Sequence, residues 1–494
     1  MALAGTATTG LLDPGSWTGR IFIDGWVSST GGDYGVIEPA TGDEIGRIGL
    51  ASTADVGKAA ARAAEAQRGW AATPYTERAA IVRRAGDLWT QHAADVQHWL
   101  IREAGSIPPK AGVETDFAAQ SCYESAGLAS LPYGELLQAP GPRLSLSRRL
   151  PVGVVGVISP FNFPLILAIR AVAPALALGN AVLLKPDPRT AVAGGVSIVR
   201  IFEEAGLPSG VLSLLPGGPD VGEAVIAVPE VRMISFTGST RAGRLVGSLA
   251  ARHLKRVHLE LGGNSALVVL DDVNVDEAVS VGAWGSYLHQ GQICMATGRH
   301  LVQRGIAEEY ATKLAEHADH LPVGNPATSQ VALGPIIDAA QRDRIHGLVT
   351  DTIAAGARLL AGGTYEGLFY RPTVLADVPI SAPAYVEEVF GPVAPIVAFD
   401  TLDDAARLAG GTPYGLSLGI LTRDVMKGLA LADRIPTGIV HINDQTVMDD
   451  VVNPFGGVKD SGPGARIGGP AANLEAFTDT QWVTMQGDLP KYPF

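Results

Sequence analysis

The sequence predicts an α/β protein built on two doubly wound, mainly parallel sheets. Short apolar runs alternate with stretches of helical periodicity, first between residues 151 and 261 and again beyond residue 261. Strands that alternate with helices form parallel sheets whose two faces are covered by helices. The chain has 494 residues, of which 47% are hydrophobic, and this is enough for two or three domains with sizeable cores.

The N-terminal third is predicted to be largely helical. An alanine-rich helix begins at Thr53, and a longer helix follows it, with Thr76 as candidate N-cap and Gly105 just past its end. Disorder is expected only in the tail before about Trp17.

The predicted strands of the first sheet are GVVGVI (153–158), AVLLK (181–185), VLSLL (211–215) and RMISF (232–236). Those of the second are SALVVL (265–270), HLVQRG (300–305), YRPTVLADV (370–378) and GPVAPIVAF (391–399). Between the strands of the first sheet, residues 189–206 are typical of a helix that ends at Gly206. Residues 138–149 are typical of an exposed strand or arm, which often pairs with another chain.

Charge and composition exclude several classes of partner. The net charge is −13 and no block of clustered Lys and Arg occurs, so neither nucleic acid nor an acidic membrane is an expected partner. The uncharged stretch 152–169 is not expected to cross a membrane, because Pro160, Asn162 and Pro164 would interrupt its helix. These observations favour small-molecule chemistry.

The chain has two cysteines, Cys122 and Cys294, too few for a disulfide framework and too widely separated for paired zinc ligands. A reduced, cytoplasmic setting without a structural metal is therefore expected. The first fifteen residues lack the basic start and apolar core of a secretory signal.

Three short stretches could carry chemistry, and the residues alone leave each one open. The turn from Gly238 to Gly243 follows a strand and could bring helix N–H groups to a phosphate, or be an ordinary strand–helix turn. Glu260 lies in an apolar strand, where a carboxylate can act as a general base or pair with a nearby Lys or Arg. Cys294 could be a nucleophile or an inert packing residue.

Together, the motifs resemble those of the NAD(P)-dependent aldehyde dehydrogenase superfamily over nearly the whole chain. They are PFNFPL (160–165), LLKP (183–186), FTGST (236–240), LELGG (259–263), GQIC (291–294), EEVFGP (387–392) and PFGGVKDSG (454–462), in the order of that family. The fold that the resemblance implies is aldehyde dehydrogenase-like, with a cofactor domain, a catalytic domain and a small β oligomerisation element. The domain bounds predicted for this chain are 1–129 and 150–261 for the cofactor domain, 262–460 for the catalytic domain, and 130–149 with 461–494 for the oligomerisation element.

The resemblance implies a catalytic role for three residues. Cys294 matches the thiolate that attacks the aldehyde carbon, and Asn162 matches a donor to the resulting oxyanion. Glu260 matches the base that activates water to hydrolyse the thioester. Members that transfer the acyl group to coenzyme A generally lack this carboxylate, so its presence favours a free acid product.

The resemblance also implies a dinucleotide site. The residues that it assigns to the cofactor are Ser159, Phe161, Lys185, Gly238, Ser239, Leu261, Glu388 and Phe390. Pro188 stands where NAD-selective relatives often carry a glutamate that binds the ribose hydroxyls, and Arg189 is next to it. NAD is therefore the expected cofactor, with NADP use left open.

Within the superfamily, residues 287–300 and 442–450 look most like the subgroup that oxidises aromatic aldehydes, such as the benzaldehyde and vanillin dehydrogenases. The expected substrate tunnel comprises Phe163, Leu167, Arg170, Ile293, Met295, Val447 and Phe455. Most of these side chains are apolar and suit a flat ring. Arg170 could face a polar ring substituent, but a structural ion pair is the favoured interpretation.

The resulting prediction is a cytoplasmic aromatic aldehyde dehydrogenase, with a small-molecule aldehyde as substrate and a homodimer or homotetramer as assembly. One alternative is the same chemistry on an aliphatic aldehyde or a semialdehyde. The other is a crystallin-like or binding protein that has kept the fold without the activity. The joint presence of a nucleophile and a hydrolytic base weighs against this last reading.

Overall fold

The computed structural model describes residues 10–131 and 133–494. The strands are β1 (Arg20–Phe22), β2 (Trp26–Ser28), β3 (Asp33–Ile37), β4 (Glu44–Gly49), β5 (Gly134–Leu137), β6 (Leu144–Pro151), β7 (Val154–Ile158), β8 (Ala181–Lys185), β9 (Leu212–Leu214), β10 (Val231–Thr237), β11 (Arg256–Glu260), β12 (Ser265–Val269), β13 (Thr297–Gln303), β14 (Arg358–Ala361), β15 (Tyr365–Glu366), β16 (Phe369–Tyr370), β17 (Thr373–Ala376), β18 (Val393–Phe399), β19 (Ser417–Leu421), β20 (Ile439–Ile442) and β21 (Thr478–Met485).

The α-helices are α1 (Pro14–Trp17), α2 (Thr53–Ala72), α3 (Tyr75–Gln91), α4 (Ala93–Ala104), α5 (Pro108–Leu128), α6 (Pro164–Ala177), α7 (Ser197–Ala205), α8 (Pro219–Ala227), α9 (Thr240–Arg252), α10 (Val275–Tyr287), α11 (Arg304–His320), α12 (Ala339–Ala354), α13 (Pro383–Val386), α14 (Leu402–Gly410), α15 (Val425–Ala432) and α16 (Pro470–Phe477). Short 3₁₀ segments lie at Pro188–Thr190, Leu288–Gly291 and Lys459–Ser461, and a π-helix lies at Val192–Val196.

The first sheet has the strand order β11-β10-β7-β8-β9-β1-β2. Strands β7 to β11 are parallel to one another, whereas β1 is antiparallel to both β9 and the edge strand β2. The chain proceeds from β7 through β8 to β9 and then returns to the other side of β7 for β10. The order therefore reverses between β7 and β10, and a crevice forms outside the carboxyl ends of parallel strands at such a point.

The second sheet has the order β14-β17-β18-β13-β12-β19-β20 and is parallel except for β14. A separate three-stranded antiparallel sheet, β21-β6-β5, joins the predicted exposed strand to the C-terminal segment. The two large sheets confirm the predicted α/β fold class.

Arg299 in β13 ties several of these elements together. Its side chain is buried and donates to the carbonyl oxygens of Asn264, Leu408 and Ala409 at 2.9 to 3.1 Å. One cation thus satisfies three buried acceptors, on the connection before β12 and on α14.

The structure corrects three local predictions. The long helix expected from Thr76 is two helices, α3 and α4, because the chain bends at His92, whose backbone (φ −103°, ψ 17°) leaves the helical region. Pro74, not Thr76, is the N-cap of α3, whereas Gly105 ends α4 in a left-handed conformation, as expected. The helix expected over 189–206 is α-helical only from Ser197, because its start forms the 3₁₀ and π segments.

The N-terminal tail is the third correction. Leu11, Leu12 and Trp17 are buried, and the Trp17 indole donates to the Leu12 carbonyl at 3.2 Å. Expected disorder before about Trp17 is therefore wrong for residues 10–16, while residues 1–9 lie outside the described residues. Among the residues that the structure describes, no α-helix combines the length and the apolar character needed to cross a membrane.

Candidate active site

The three predicted catalytic residues lie where the two large sheets meet. Glu260 is the last residue of β11, and Asn162 follows the carboxyl end of β7. Cys294 precedes β13 at the amino edge of the second sheet. Only residues 261–264 separate β11 from β12, so the carboxyl edge of one sheet is held against the amino edge of the other.

Gly262 and Gly263 permit this close approach. A Cβ atom at Gly262 would collide with the carboxylate of Glu388, and one at Gly263 would lie 2.5 Å from the carbonyl oxygen of Cys294. The Gly263 N–H donates to Oε1 of Glu388 at 3.0 Å. The two glycines therefore bring the cysteine segment and Glu388 to the end of β11.

The Cys294 side chain is only partly buried, whereas Cys122 is fully buried in α5. Burial raises the pKa of the Cys294 thiol to about 12, and the negative charges of Glu388 and Glu260 act in the same direction. Burial also raises the pKa of Cys122 to about 12. Exposure, and not acidity, therefore distinguishes the two thiols, and Cys294 needs a base or a reaction partner to become a nucleophile.

Glu260 is buried, and its burial raises the pKa of the carboxyl group. His258, two residues earlier on the same face of β11, places Nε2 3.1 Å from Oε1 of Glu260. The proximity of His258 and the charges of Arg170 and Arg466 oppose the effect of burial. The residue that contacts Glu260 is thus a histidine, whereas the sequence interpretation considered only a Lys or an Arg. The i, i+2 spacing along a predicted strand could have revealed it.

Asn162 is buried, and its side-chain Nδ2 donates to the carbonyl oxygen of Gln292 at 2.8 Å. Gln292 lies two residues before Cys294, so the Asn162 amide group is directed at the cysteine segment. An amide nitrogen carries two hydrogens, and one of them remains for a reacting oxygen.

The apolar residues predicted for the tunnel are buried or pack against the same buried core as Cys294. Ile293, Met295 and Phe455 belong to one buried apolar cluster, against which Phe163, Cys294 and Val447 pack. Leu167, on α6, is also buried. The cysteine therefore lies in an apolar setting that suits a flat hydrophobic substrate.

Arg170 is the charged exception in this setting. Its Nη2 pairs with Oδ2 of Asp449 at 2.6 Å, and its guanidinium carbon lies 4.4 Å from the ring centroid of Phe455. It also lies 5.3 Å from the ring centroid of Phe117, which sequence reasoning missed. The structure thus contains the favoured ion pair, but Nε and Nη1 are buried without a hydrogen-bond partner in the described chain.

A cavity of about 660 Å³ opens in the crevice at the end of β7, β8 and β10. Its lining residues are Ile158, Lys185, Asp187, Pro188, Arg189, Gly218, Pro219, Gly222, Glu223, Ile226, Phe236, Ala242, Leu245, Val246, Ser248, Leu249 and Arg252. Of the eight predicted cofactor residues, only Lys185 is among them. The apolar walls come mainly from α8 and α9, which carry none of the motifs from which the cofactor residues were predicted, apart from the turn before α9.

The other predicted cofactor residues do not line this cavity. The Ser159 hydroxyl is buried with no hydrogen-bond partner among the described residues, and the rings of Phe161 and Phe390 meet edge to face at 5.9 Å. Ser239 caps α9, while the Gly238 N–H donates to the Glu260 carbonyl at 3.0 Å. The Leu261 side chain packs against Gly243.

Glu388 completes this set, and its burial raises the pKa of its carboxyl group to about 7. An apolar cavity, a helix N-terminus and an orphaned buried hydroxyl fit the parts of a dinucleotide.

The lining of the cavity includes a carboxylate that the sequence interpretation passed over. Asp187 lines the cavity next to Pro188 and pairs with Arg189 at 2.8 Å. Arg189 also pairs with Asp338 at 2.6 Å and lies 4.2 Å from the ring centroid of Phe161. Burial would raise the pKa of Asp187, but Arg189 holds it below its usual value. Arg189 is therefore occupied by two carboxylates.

Comparisons with known proteins agree with this arrangement. A sequence model described as the aldehyde dehydrogenase family matches residues 26–483. The chain is 67% identical to a vanillin dehydrogenase from Amycolatopsis sp., covering 98% of this chain and 99% of the relative. It is 50% identical to a benzaldehyde dehydrogenase [NAD(+)] from Pseudomonas putida, covering 97% and 98%.

A solved structure of a salicylaldehyde dehydrogenase from Pseudomonas putida G7, complexed with salicylaldehyde, matches with a TM-score of 0.93 and 34% identity, covering 96% of this chain and 99% of that one. A betaine aldehyde dehydrogenase from Staphylococcus aureus in complex with NAD+ matches with a TM-score of 0.94 and 29% identity, covering 99% and 98%.

The difference in exposure between the two thiols gives a direct test of the site geometry. Alkylation of the native protein with iodoacetamide, followed by peptide mass spectrometry, should modify Cys294 and spare Cys122. Because only the thiolate reacts, the rate should rise about tenfold per pH unit between about pH 7 and 9.5, well below the raised pKa. A rate that levels off below about pH 9, or equal labelling of both cysteines, would contradict the described environment.

Proposed function

The chain belongs to the aldehyde dehydrogenase family, and from this premise we propose that it oxidises an aromatic aldehyde of the benzaldehyde or vanillin type to the carboxylic acid with NAD. The observation that carries the proposal is a partly exposed Cys294 in an apolar setting, with Glu260 and Asn162 beside it. As a member of the family, the protein is an NAD(P)-dependent aldehyde dehydrogenase.

In the proposed reaction, the partly exposed Cys294 thiol gives its proton to solvent, and the thiolate bonds to the aldehyde carbon, giving a thiohemiacetal anion. The Asn162 amide and the backbone N–H of Cys294 donate to its oxyanion. A bound NAD would supply the acceptor for the hydride that leaves the former aldehyde carbon, and a thioester on Cys294 would result. Glu260 then takes a proton from water, which attacks the resulting thioester and releases the acid and the thiol. The raised pKa of Glu260 suits a base that must work near neutral pH.

The aromatic substrate class is supported by the apolar wall and by the relatives. Phe163, Met295 and Phe455 offer flat or flexible apolar surface around Cys294. The vanillin and benzaldehyde dehydrogenases that resemble this chain align with nearly its whole length. We further propose that the unpartnered Nε and Nη1 of Arg170 donate to a polar ring substituent such as a hydroxyl group.

NAD is the proposed cofactor in preference to NADP. Among the charged residues that line the cavity, Asp187 is next to Pro188, and its carboxylate would repel a 2′-phosphate placed beside it. Arg189, the nearest candidate phosphate ligand in sequence, is already paired with Asp187 and Asp338. The NAD named for the Pseudomonas putida benzaldehyde dehydrogenase is consistent with this choice.

We also propose a homodimer or homotetramer that forms through the three-stranded sheet. Leu136 on β5 and Trp482 on β21 are 78% and 72% exposed, which is unusual for large apolar side chains on edge strands. The proposed domain bounds place this sheet apart from the cofactor and catalytic domains.

Both cysteines are free thiols, which supports the proposed cytoplasmic location.

The substrate class can be tested by the initial rate of reduced-nicotinamide formation from NAD. Benzaldehyde should give a kcat/KM at least about tenfold above that of hexanal, because the apolar wall favours a planar ring.

In the same assay, Arg170→Lys keeps a cation for Asp449 but removes two donors. It should lower kcat/KM for 4-hydroxybenzaldehyde about tenfold more than for benzaldehyde.

Equal or reversed rates for benzaldehyde and hexanal would leave the dehydrogenase but refute the aromatic class. An equal loss for both aromatic substrates in Arg170→Lys would leave Arg170 as a structural ion pair.

The role of Glu260 predicts a separation of two phases. Glu260→Gln should still form about one equivalent of reduced nicotinamide per active site, because hydride transfer precedes hydrolysis, while steady-state turnover falls by about 10²-fold or more. In the unchanged enzyme, a hydrolysis-limited kcat should fall with decreasing pH through the raised pKa of Glu260, since the protonated carboxyl group is no base. Rapid-quench measurement of the burst checks this, and full turnover by Glu260→Gln would assign the base elsewhere.

Cofactor preference should respond to Asp187. The unchanged enzyme should have a higher kcat/KM for NAD than for NADP, and Asp187→Asn should raise the NADP to NAD ratio about tenfold by removing a repelling charge and freeing Arg189. Asp338→Asn is the matched control, because it frees Arg189 without changing the charge that lines the cavity, and its effect should be smaller. An unchanged ratio in Asp187→Asn would separate this carboxylate from nucleotide choice.

A further inference from the structure

A buried charged pair contacts the backbone of residues 162–166 but does not belong to the predicted site. Lys110 and Glu114 are one turn apart on α5, and their side chains are 1% and 0% exposed. Burial lowers the pKa of Lys110 and raises that of Glu114, and their mutual contact opposes both shifts. A buried ion pair is often no more stabilising than an apolar pair of similar volume, so stability alone does not account for it.

Lys110 donates a hydrogen bond to the backbone at Asn162. Its ammonium group donates to the carbonyl oxygen of Asn162 at 2.8 Å, to the hydroxyl of Ser106 at 3.0 Å, and to Oε1 of Glu114. The three N–H donors of an ammonium group are thus all used. The ammonium also lies 4.2 Å from the ring centroid of Phe163, the next residue along the chain.

Glu114 accepts hydrogen bonds from the backbone a few residues after Asn162. Its Oε2 accepts from the backbone N–H groups of Leu165 and Ile166 at 3.1 and 3.3 Å. These groups belong to the first turn of α6, whose N-cap residue, Phe163, supplies no capping side chain. A carboxylate from another helix therefore caps α6.

The chain that leads to Cys294 also contacts this cluster, through His289. His289 is buried, and its ring meets that of Phe163 at 5.4 Å. Burial and the charge of Lys110 lower the pKa of His289 well below its usual value, so the ring is neutral. His289 and Gln290 both adopt positive φ angles of 49° and 57°, a strained conformation that packing must hold.

We propose that Lys110 and Glu114 are positioning residues that hold the Asn162 side chain where it can donate to the oxyanion. The proposal rests on the proposed function. Fixing the Asn162 carbonyl from one side and the start of α6 from the other leaves the side-chain amide little freedom beside the Cys294 segment. A displacement of about 1 Å at such a donor can cost about 10²-fold in rate.

A double-mutant cycle tests the proposal. Lys110→Met keeps the length of the side chain but removes its donors, and it should lower kcat for benzaldehyde by about 10- to 100-fold. In an Asn162→Ala background, Lys110→Met should cause less than about a threefold further loss, because the donor that it positions is already gone. Ser106→Ala removes the hydroxyl acceptor of Lys110 but leaves its bond to the Asn162 carbonyl, and should leave kcat within about twofold.

Two readouts separate positioning from general damage. The rate of Cys294 alkylation and the KM for NAD should stay within about twofold in Lys110→Met, since neither group contacts Lys110. If Lys110→Met does not fold, Glu114→Gln enters the same cycle with Asn162→Ala, with circular dichroism as the folding check. Losses that multiply with that of Asn162→Ala, or a kcat unchanged in Lys110→Met, would overturn the proposal. An unchanged enzyme that oxidises no aldehyde would instead overturn the proposed function.

Discussion

The short connection between the two large sheets is the constraint on which the site depends. Residues 261–264 join β11 to β12, so the end of one sheet and the start of the other cannot separate. Because two of these four residues are glycines, Glu388 and the backbone of Cys294 reach positions that any side chain would fill. Arg299 then fixes the end of the connection by donating to the carbonyl of Asn264 at 3.0 Å. A cleft of this kind needs no mobile loop to bring base and nucleophile together.

Burial at this junction disfavours the charged forms of its acidic groups. Cys294, Glu260 and Glu388 all have raised pKa values, and burial is the largest cause for each. The two carboxyl groups also raise the pKa of the thiol, so ionisation of one group opposes ionisation of the others. Negative charge on sulfur or oxygen is therefore favourable only where donors such as the Asn162 amide meet it, which ties charge development to the correct geometry.

Local patterns predicted the sheets because the central parallel strands, such as β7 and β8, are buried on both faces and form apolar runs such as AVLLK. They could not show the bend at His92, since helical periodicity continues across it. Ordered motifs pointed to Cys294, Glu260 and Asn162, but not to His258, Lys110 or Glu114. Lys110 and Glu114 lie in ordinary helix sequence, and only the fold brings them to the site, whereas the i, i+2 spacing along a strand places His258 on the same face as Glu260. The pairing of β6 with β21 spans more than 300 residues, beyond any local signal.

Arg299, Lys110 and Arg170 are buried cations near the junction, and they differ in how many of their N–H donors have a hydrogen-bond partner. This difference indicates a different role for each. Arg299 is satisfied by three backbone carbonyls of the scaffold, which fits a purely structural group. Lys110 is also satisfied, but one of its acceptors is the carbonyl of Asn162, so its bond transmits position to a reacting side chain. Arg170 keeps two buried donors without partners in the described chain. Because an unsatisfied buried donor is costly, a site retains one where a ligand supplies the missing acceptor. The same physical rule that identifies Arg299 as scaffold therefore supports the proposal that Arg170 donates to a polar ring substituent of the substrate.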